Sequence, residues 1–90
     1  FIVFYSAGRP DQMGEGLLGD LYVSFRRPDD SWGPPVTLGP EVNSTAEENW
    51  PVISPDGKYL FFSSGRDNPN GFPDIFWVDV EAVTRLRNSR

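Results

Sequence analysis

An all-β fold of short antiparallel strands, repeated along the chain, is predicted by three observations. Nine Gly and nine Pro are scattered through 90 residues, which interrupts every apolar run before a long helix can form. The runs that remain are short and rich in β-branched and aromatic residues, the composition of strands. The chain also repeats itself. Ile2-Val3-Phe4-Tyr5-Ser6-Ala7-Gly8-Arg9 matches Tyr59-Leu60-Phe61-Phe62-Ser63-Ser64-Gly65-Arg66 at an offset of 57, and Gly19-Asp20-Leu21-Tyr22-Val23 matches Pro73-Asp74-Ile75-Phe76-Trp77 at an offset of 54. At this length, with 38% hydrophobic content, the chain is one small unit or part of one.

Phe1 to Ser6 is a continuous apolar run that reads as a strand covered on both faces. A polar loop through Gly19 leads to a second strand, Asp20 to Phe25. Arg27-Pro28-Asp29-Asp30-Ser31 is a turn, because Pro presets φ and the Asp side chains cap the bend. Trp32 to Leu38 is a third strand, placed at a sheet edge because Gly33, Pro34 and Pro35 weaken or remove its ladder. After a polar loop, Asn49 to Ser54 forms a strand that turns at Pro55-Asp56-Gly57 into Tyr59 to Ser63, with Gly57 supplying positive φ. Asp74 to Val80 is the last strand. Val80, Val83 and Leu86 then recur at near-helical spacing, which predicts a terminal helical turn or a fraying tail.

Self-similarity at this period marks a repeat architecture, and each copy holds the strand content of a four-stranded propeller blade of roughly 40 to 45 residues or a little more. The stretch Asn49-Trp50-Pro51-Val52-Ile53-Ser54-Pro55-Asp56-Gly57-Lys58-Tyr59-Leu60-Phe61-Phe62-Ser63-Ser64 resembles the Pro-Asp-centred, WD-repeat-like unit of TolB-like β-propellers. Pro73-Asp74-Ile75-Phe76 is similar to the Asp-Ile-Tyr strand of that unit, and Ser31 to Gly39 is similar to its C-D hairpin in a periplasmic subgroup. The resemblance implies that residues 1–45 supply strands B, C and D of one blade, residues 46–80 supply A, B and C of the next, and 81–90 form a basic terminal tail. No Ser-Pro-Asp-Gly-Lys turn precedes Phe1, and no fourth strand follows Val80. The count is about one and a half to two blades, whereas a propeller has about 4 to 8. The expectation is a fragment of a longer propeller, or a homo-oligomer whose copies complete the ring; the start at Phe1 reads as cut.

The composition narrows the chemistry. With no Cys and no His, there is no thiolate or imidazole metal ligand and no Ser-His-Asp or Cys-His catalysis. A net charge of -5 repels phosphate backbones and anionic membranes, which argues against nucleic acid. No apolar run approaches the roughly 20 residues of a membrane span.

The repeated Arg9 with Asp20, and Arg66 with Asp74, suggest an Arg-Asp pair in each unit, and recurrence favours a structural role. Ser54, Pro55, Asp56, Gly57 and Lys58 are a structural hairpin motif in TolB-like units, and a sialidase-type Asp-box fits them less well. Asp67, Asn68, Asn70 and Asp74 form an oxygen-rich loop, but the spacing matches no EF-hand and Asx-turn chemistry explains it, so no metal or other cofactor is expected. Glu41, Glu47 and Glu48 read as a solvated acidic loop rather than a glycosidase carboxylate pair. Trp32 and Trp50, each beside a turn, are the candidate binding residues, either a carbohydrate or peptide platform or covers for a core edge. Trp77 lies mid-strand and is expected to pack between blades. The functional expectation is a non-catalytic binding or scaffold module that engages a protein partner or further blades. By the resemblance its setting is the bacterial periplasm or cell envelope. The alternatives are the gating propeller of a prolyl-oligopeptidase-type peptidase or a carboxylate-based glycoside hydrolase propeller.

Overall fold

The computed structural model describes residues 1–67 and 72–88. Among these, β1 (Ile2–Ser6), β2 (Asp20–Ser24) and β3 (Val36–Thr37) form one three-stranded sheet, and β4 (Glu48–Ile53), β5 (Tyr59–Ser64) and β6 (Asp74–Asp79) form another. Both sheets are antiparallel, with strands neighbouring in sequence order. A short helix α1 (Glu81–Thr84) and a 3-10 turn (Arg85–Asn88) follow. The fold is mostly β, as the spacing of Gly, Pro and apolar runs requires. Every strand except the third lies within a residue or so of its expected limits. The third shrinks to Val36–Thr37, with an isolated bridge between Arg26 and Trp32, because Pro34 and Pro35 bring no N–H to the intervening ladder. It stands at the sheet edge, as expected.

Side-chain hydrogen bonds build the Pro55-Asp56-Gly57 turn. Ser54 Oγ donates to Asp56 Oδ1 at 2.6 Å and accepts from the Tyr59 N–H at 3.0 Å, while the same Asp56 oxygen accepts from the Lys58 N–H at 3.1 Å. Gly57 adopts φ +74°, a conformation open to glycine at no steric cost. The Ser54 hydroxyl and the Lys58 N–H favour the ionised Asp56 and hold its carboxyl below the usual aspartate range. Ser54, Asp56, Gly57 and the Lys58 N–H therefore each have a structural task in the turn, and none of the five motif residues lines the cleft at Trp50 or the depression at Tyr59, Phe61 and Trp77.

The pairing register changes how the two repeats correspond. Ser6 meets Asp20 and Val3 meets Val23 in the first sheet. In the second, Ser64 rather than Ser63 meets Asp74, and Phe61 meets Trp77. The position of Phe4 is therefore taken by Phe62, one residue away from the sequence match. Ring geometry agrees: Phe4 stacks on Tyr22 at 6.2 Å and 28°, and Phe62 on Phe76 at 6.1 Å and 23°. Arg9 lies 5.1 Å over Tyr22, and Arg66 lies 5.1 Å over Phe76.

With that correspondence, the sheets meet through unlike faces. Directly opposed residues of an antiparallel pair share a face, so Val3, Tyr5, Leu21 and Val23 form one face of the first sheet. It packs on the face of the second sheet that carries Leu60, Phe62, Phe76 and Val78, with Ile53 beside them. Phe25, Leu38, Val42 and Val83 complete the core, and Leu86 packs against it. The helical spacing of Val83 and Leu86 thus serves to cap one end of the core.

The connection between the sheets is anchored at two adjacent residues. Asn43, buried, accepts from the Leu21 N–H at 2.8 Å through Oδ1 and donates to the Leu21 carbonyl at 3.0 Å through Nδ2. Ser44 donates to Glu48 from its N–H at 2.9 Å and from its hydroxyl at 2.5 Å. Gly19, where β2 begins, is required by close approach. A Cβ there would stand 2.8 Å from the Tyr5 ring and closer still to the Ser6 carbonyl.

Candidate functional site

Where β4 begins, a buried polar cluster joins the sheets. Glu48 is fully buried and accepts from Ser44, from the Ser64 hydroxyl at 2.7 Å and from Arg66 at 3.5 Å. Its own N–H donates to the Gly19 carbonyl of the first sheet at 3.2 Å. Arg66 also donates to the Val42 carbonyl and the Ser64 hydroxyl.

The Arg-Asp pairs expected from the repeat do not form among the described residues. Arg66 takes Glu48 as its carboxylate instead of Asp74, because Asp74 stands exposed on the edge strand while Glu48 lies under the guanidinium. Arg9 lies over the Tyr22 ring, and Asp20 accepts from the Met13 N–H at 2.8 Å. What recurs is an arginine over the equivalent ring of the second strand, Tyr22 or Phe76, a cation–π contact that Arg66 extends to Phe62. Of the acidic loop, Glu41 and Glu47 are exposed as its solvated reading expects, and only Glu48 departs from it. Glu41 pairs with Arg85 at the surface, Glu47 accepts from the Tyr5 hydroxyl at 2.8 Å, and Glu48 is sealed in the core. The part of the oxygen-rich loop that holds Asn68 and Asn70 lies outside the described residues.

Asp20 is the strained member of the cluster. It is fully buried, and among the described residues its Oδ1 has no donor. Burial pushes its carboxyl above the usual aspartate range; the Met13 N–H opposes this, while Glu48 adds to it by repulsion and by accepting from the protonated form. A folded-state pKa above the unfolded value means that Asp20 favours the fold fully below about pH 3.9 and that this contribution is lost as pH rises through the folded value. The variant Asp20→Asn keeps an acceptor for Met13 and places a donor beside Glu48. It is expected to raise Tm at neutral pH and to flatten the decline from acid to neutral. Thermal melts across that range check this, and a variant less stable at neutral pH would refute it.

The two candidate tryptophans occupy different places. Trp32 is half exposed beside the turn after Phe25, and its carbonyl accepts from Arg27 at 3.2 Å. Trp50 is 73% exposed and sits in a register shift of β4, between the pairs Asn49–Ser63 and Val52–Phe61. Pro51 explains the bulge, since it cannot donate to the ladder. Trp50 adopts φ +52°, a left-handed conformation that costs a bulky residue about 1–3 kcal/mol. The Asn49 Oδ1 accepts from the Trp50 N–H at 2.9 Å and fastens this backbone. The bulge places Trp50 in the wall of a cleft of about 320 Å³, with Leu18, Pro73, Glu47, Asn49 and Ser63 among its neighbours. Trp32 is not in that cleft. Burial and the Glu47 carboxylate push the Tyr5 hydroxyl above its ordinary range, so it remains a donor that positions Glu47.

The outward face of the second sheet carries an apolar patch, with Asp79 at one end and Ser63 toward the other. Val52, Tyr59, Phe61, Ile75 and Trp77 share it, with Ile75 at 70% and Trp77 at 61% exposure. Tyr59 meets Trp77 edge to face at 5.3 Å, and these two with Phe61 line a shallow depression of about 200 Å³. Trp77, expected between packed sheets, stands on this open face, whereas its counterpart Val23 is fully buried. No protein-family model, curated protein or solved structure matches this chain.

Proposed function

We propose that this chain is a non-catalytic recognition and scaffold module, with its two sheets as blade units on the TolB-like propeller plan and the open face of the second sheet as its docking surface for a further unit of the same kind. The observation that carries this reading is the meeting of unlike faces. Val3, Leu21 and Val23 of the first sheet are covered by the second sheet, while the corresponding Phe61, Ile75 and Trp77 of the second are exposed. An arrangement in which one face of a repeat receives the opposite face of the next is heterologous, and it propagates into a ring where its rotation closes and into a filament where it does not. A contiguous apolar patch rich in aromatics is also the composition of interface centres.

The carboxylates support a non-catalytic reading. Asp20 and Glu48 are neighbours, yet both are fully buried, and a glycoside bond would have to reach them in solvent. By the same resemblance the setting is the bacterial cell envelope and the partner a protein there. Size-exclusion chromatography with light scattering tests the docking face. The chain is expected to run as an assembly heavier than its 10.1 kDa and to shift toward monomer in Trp77→Asp. A folded, soluble wild-type monomer at high concentration would refute the proposal.

A further inference from the structure

The cleft at Trp50 opens at the end of the second sheet's outward face where Asn49 pairs with Ser63, and it shares no lining residue with the Tyr59, Phe61 and Trp77 depression; we infer that it is a binding site for a neutral saccharide. This rests on the reading of the chain as a recognition module and supplies a ligand class for it. The backbone holds Trp50 in a left-handed conformation within a bulge, fastened by Asn49, with its side chain 73% exposed. Strained, exposed aromatics of this kind serve ligand clamps, and bulges serve to re-aim a side chain.

The wall chemistry selects the ligand. Trp50, Leu18 and Pro73 supply apolar surface, Glu47 supplies an acceptor and the Asn49 Nδ2 a donor, while the Ser63 hydroxyl donates to the Asn49 carbonyl and steadies that edge of the cleft. Tyr5 holds one oxygen of Glu47 through its hydroxyl at 2.8 Å, which orients the carboxylate. A sugar ring matches this set, because one of its faces is apolar and its rim bears hydroxyls that both donate and accept. The Glu47 charge, together with the chain's net charge of -5, disfavours phosphates, nucleotides and acidic sugars. A volume of about 320 Å³ lies at the small end of the range for ligand pockets.

The test is a titration of the isotope-labelled chain with cellobiose and with the disaccharide of N-acetylglucosamine, followed by proton–nitrogen correlation spectra. The three tryptophans each give an indole signal. With at least one sugar, the Trp50 indole and Asn49 amide are expected to shift saturably in the millimolar range while Trp32 and Trp77 stay in place. Trp50→Gly removes the ring and suits the positive φ, so it is expected to fold and to weaken binding more than tenfold. Three results would overturn the inference: no shift with either sugar, equal shifts at all three indoles, or a response to choline or a lysine peptide but not to sugar. Light scattering on the same samples reads the open sheet face separately, so an intact assembly with a silent cleft would sink the saccharide site alone.

Discussion

Glu48→Ala is expected to lower the free energy of unfolding by about 3–5 kcal/mol, the cost of removing one partner of a buried charge pair. Arg66 would keep its charge with only a fifth of its side chain in water, and Ser44 and Ser64 would lose the acceptor they share. Relief of Asp20 from a neighbouring negative charge offsets part of this loss. Urea denaturation followed by circular dichroism measures it. Small domains hold roughly 5–15 kcal/mol in total, so the variant should be largely unfolded at modest urea. Glu48→Gln, which keeps the shape and one acceptor, should lose less. A loss below about 1 kcal/mol in the Ala variant would show that the cluster does not join the sheets.

Phe62→Ala is expected to cost about 3–5 kcal/mol, whereas Phe61→Ala, one residue earlier, should cost far less in folding and act on assembly instead. Phe62 is nearly fully buried, stacked on Phe76 with Arg66 5.5 Å over its ring. Phe61 stands on the open face, paired with Trp77. Denaturation curves and light scattering on both variants separate the two effects. Equal destabilisation by the two would contradict the assignment of inner and outer faces.

That contrast was not legible in the sequence. Phe61-Phe62-Ser63-Ser64 is apolar and small on both faces, and a strand without polar alternation leaves its register open to a slip of one residue. The repeat was legible at Asp20 and Asp74, which do occupy equivalent places, but the match at Phe4 falls on Phe62 instead of Phe61. Strand limits were legible because Gly and Pro punctuate them, and the Pro55-Asp56-Gly57 turn carries its own hydrogen-bond chemistry in adjacent residues. The partner of Arg66 was hidden for a different reason. Glu48 lies 18 residues from it, in a loop whose polar composition resembles solvent-facing chain, and only tertiary packing sinks it. Trp50 was readable as a candidate beside a turn; its left-handed backbone was not, since nothing local announces a bulge except Pro51.

Asn43 and Ser44 are consecutive in the chain, yet the first grips the backbone of β2 and the second grips the carboxylate that opens β4. One peptide unit therefore acts as a rivet through both sheets, and the joint has little freedom to swing. Any body that seats on the outer sheet meets a surface whose placement against the first sheet is set by these hydrogen bonds.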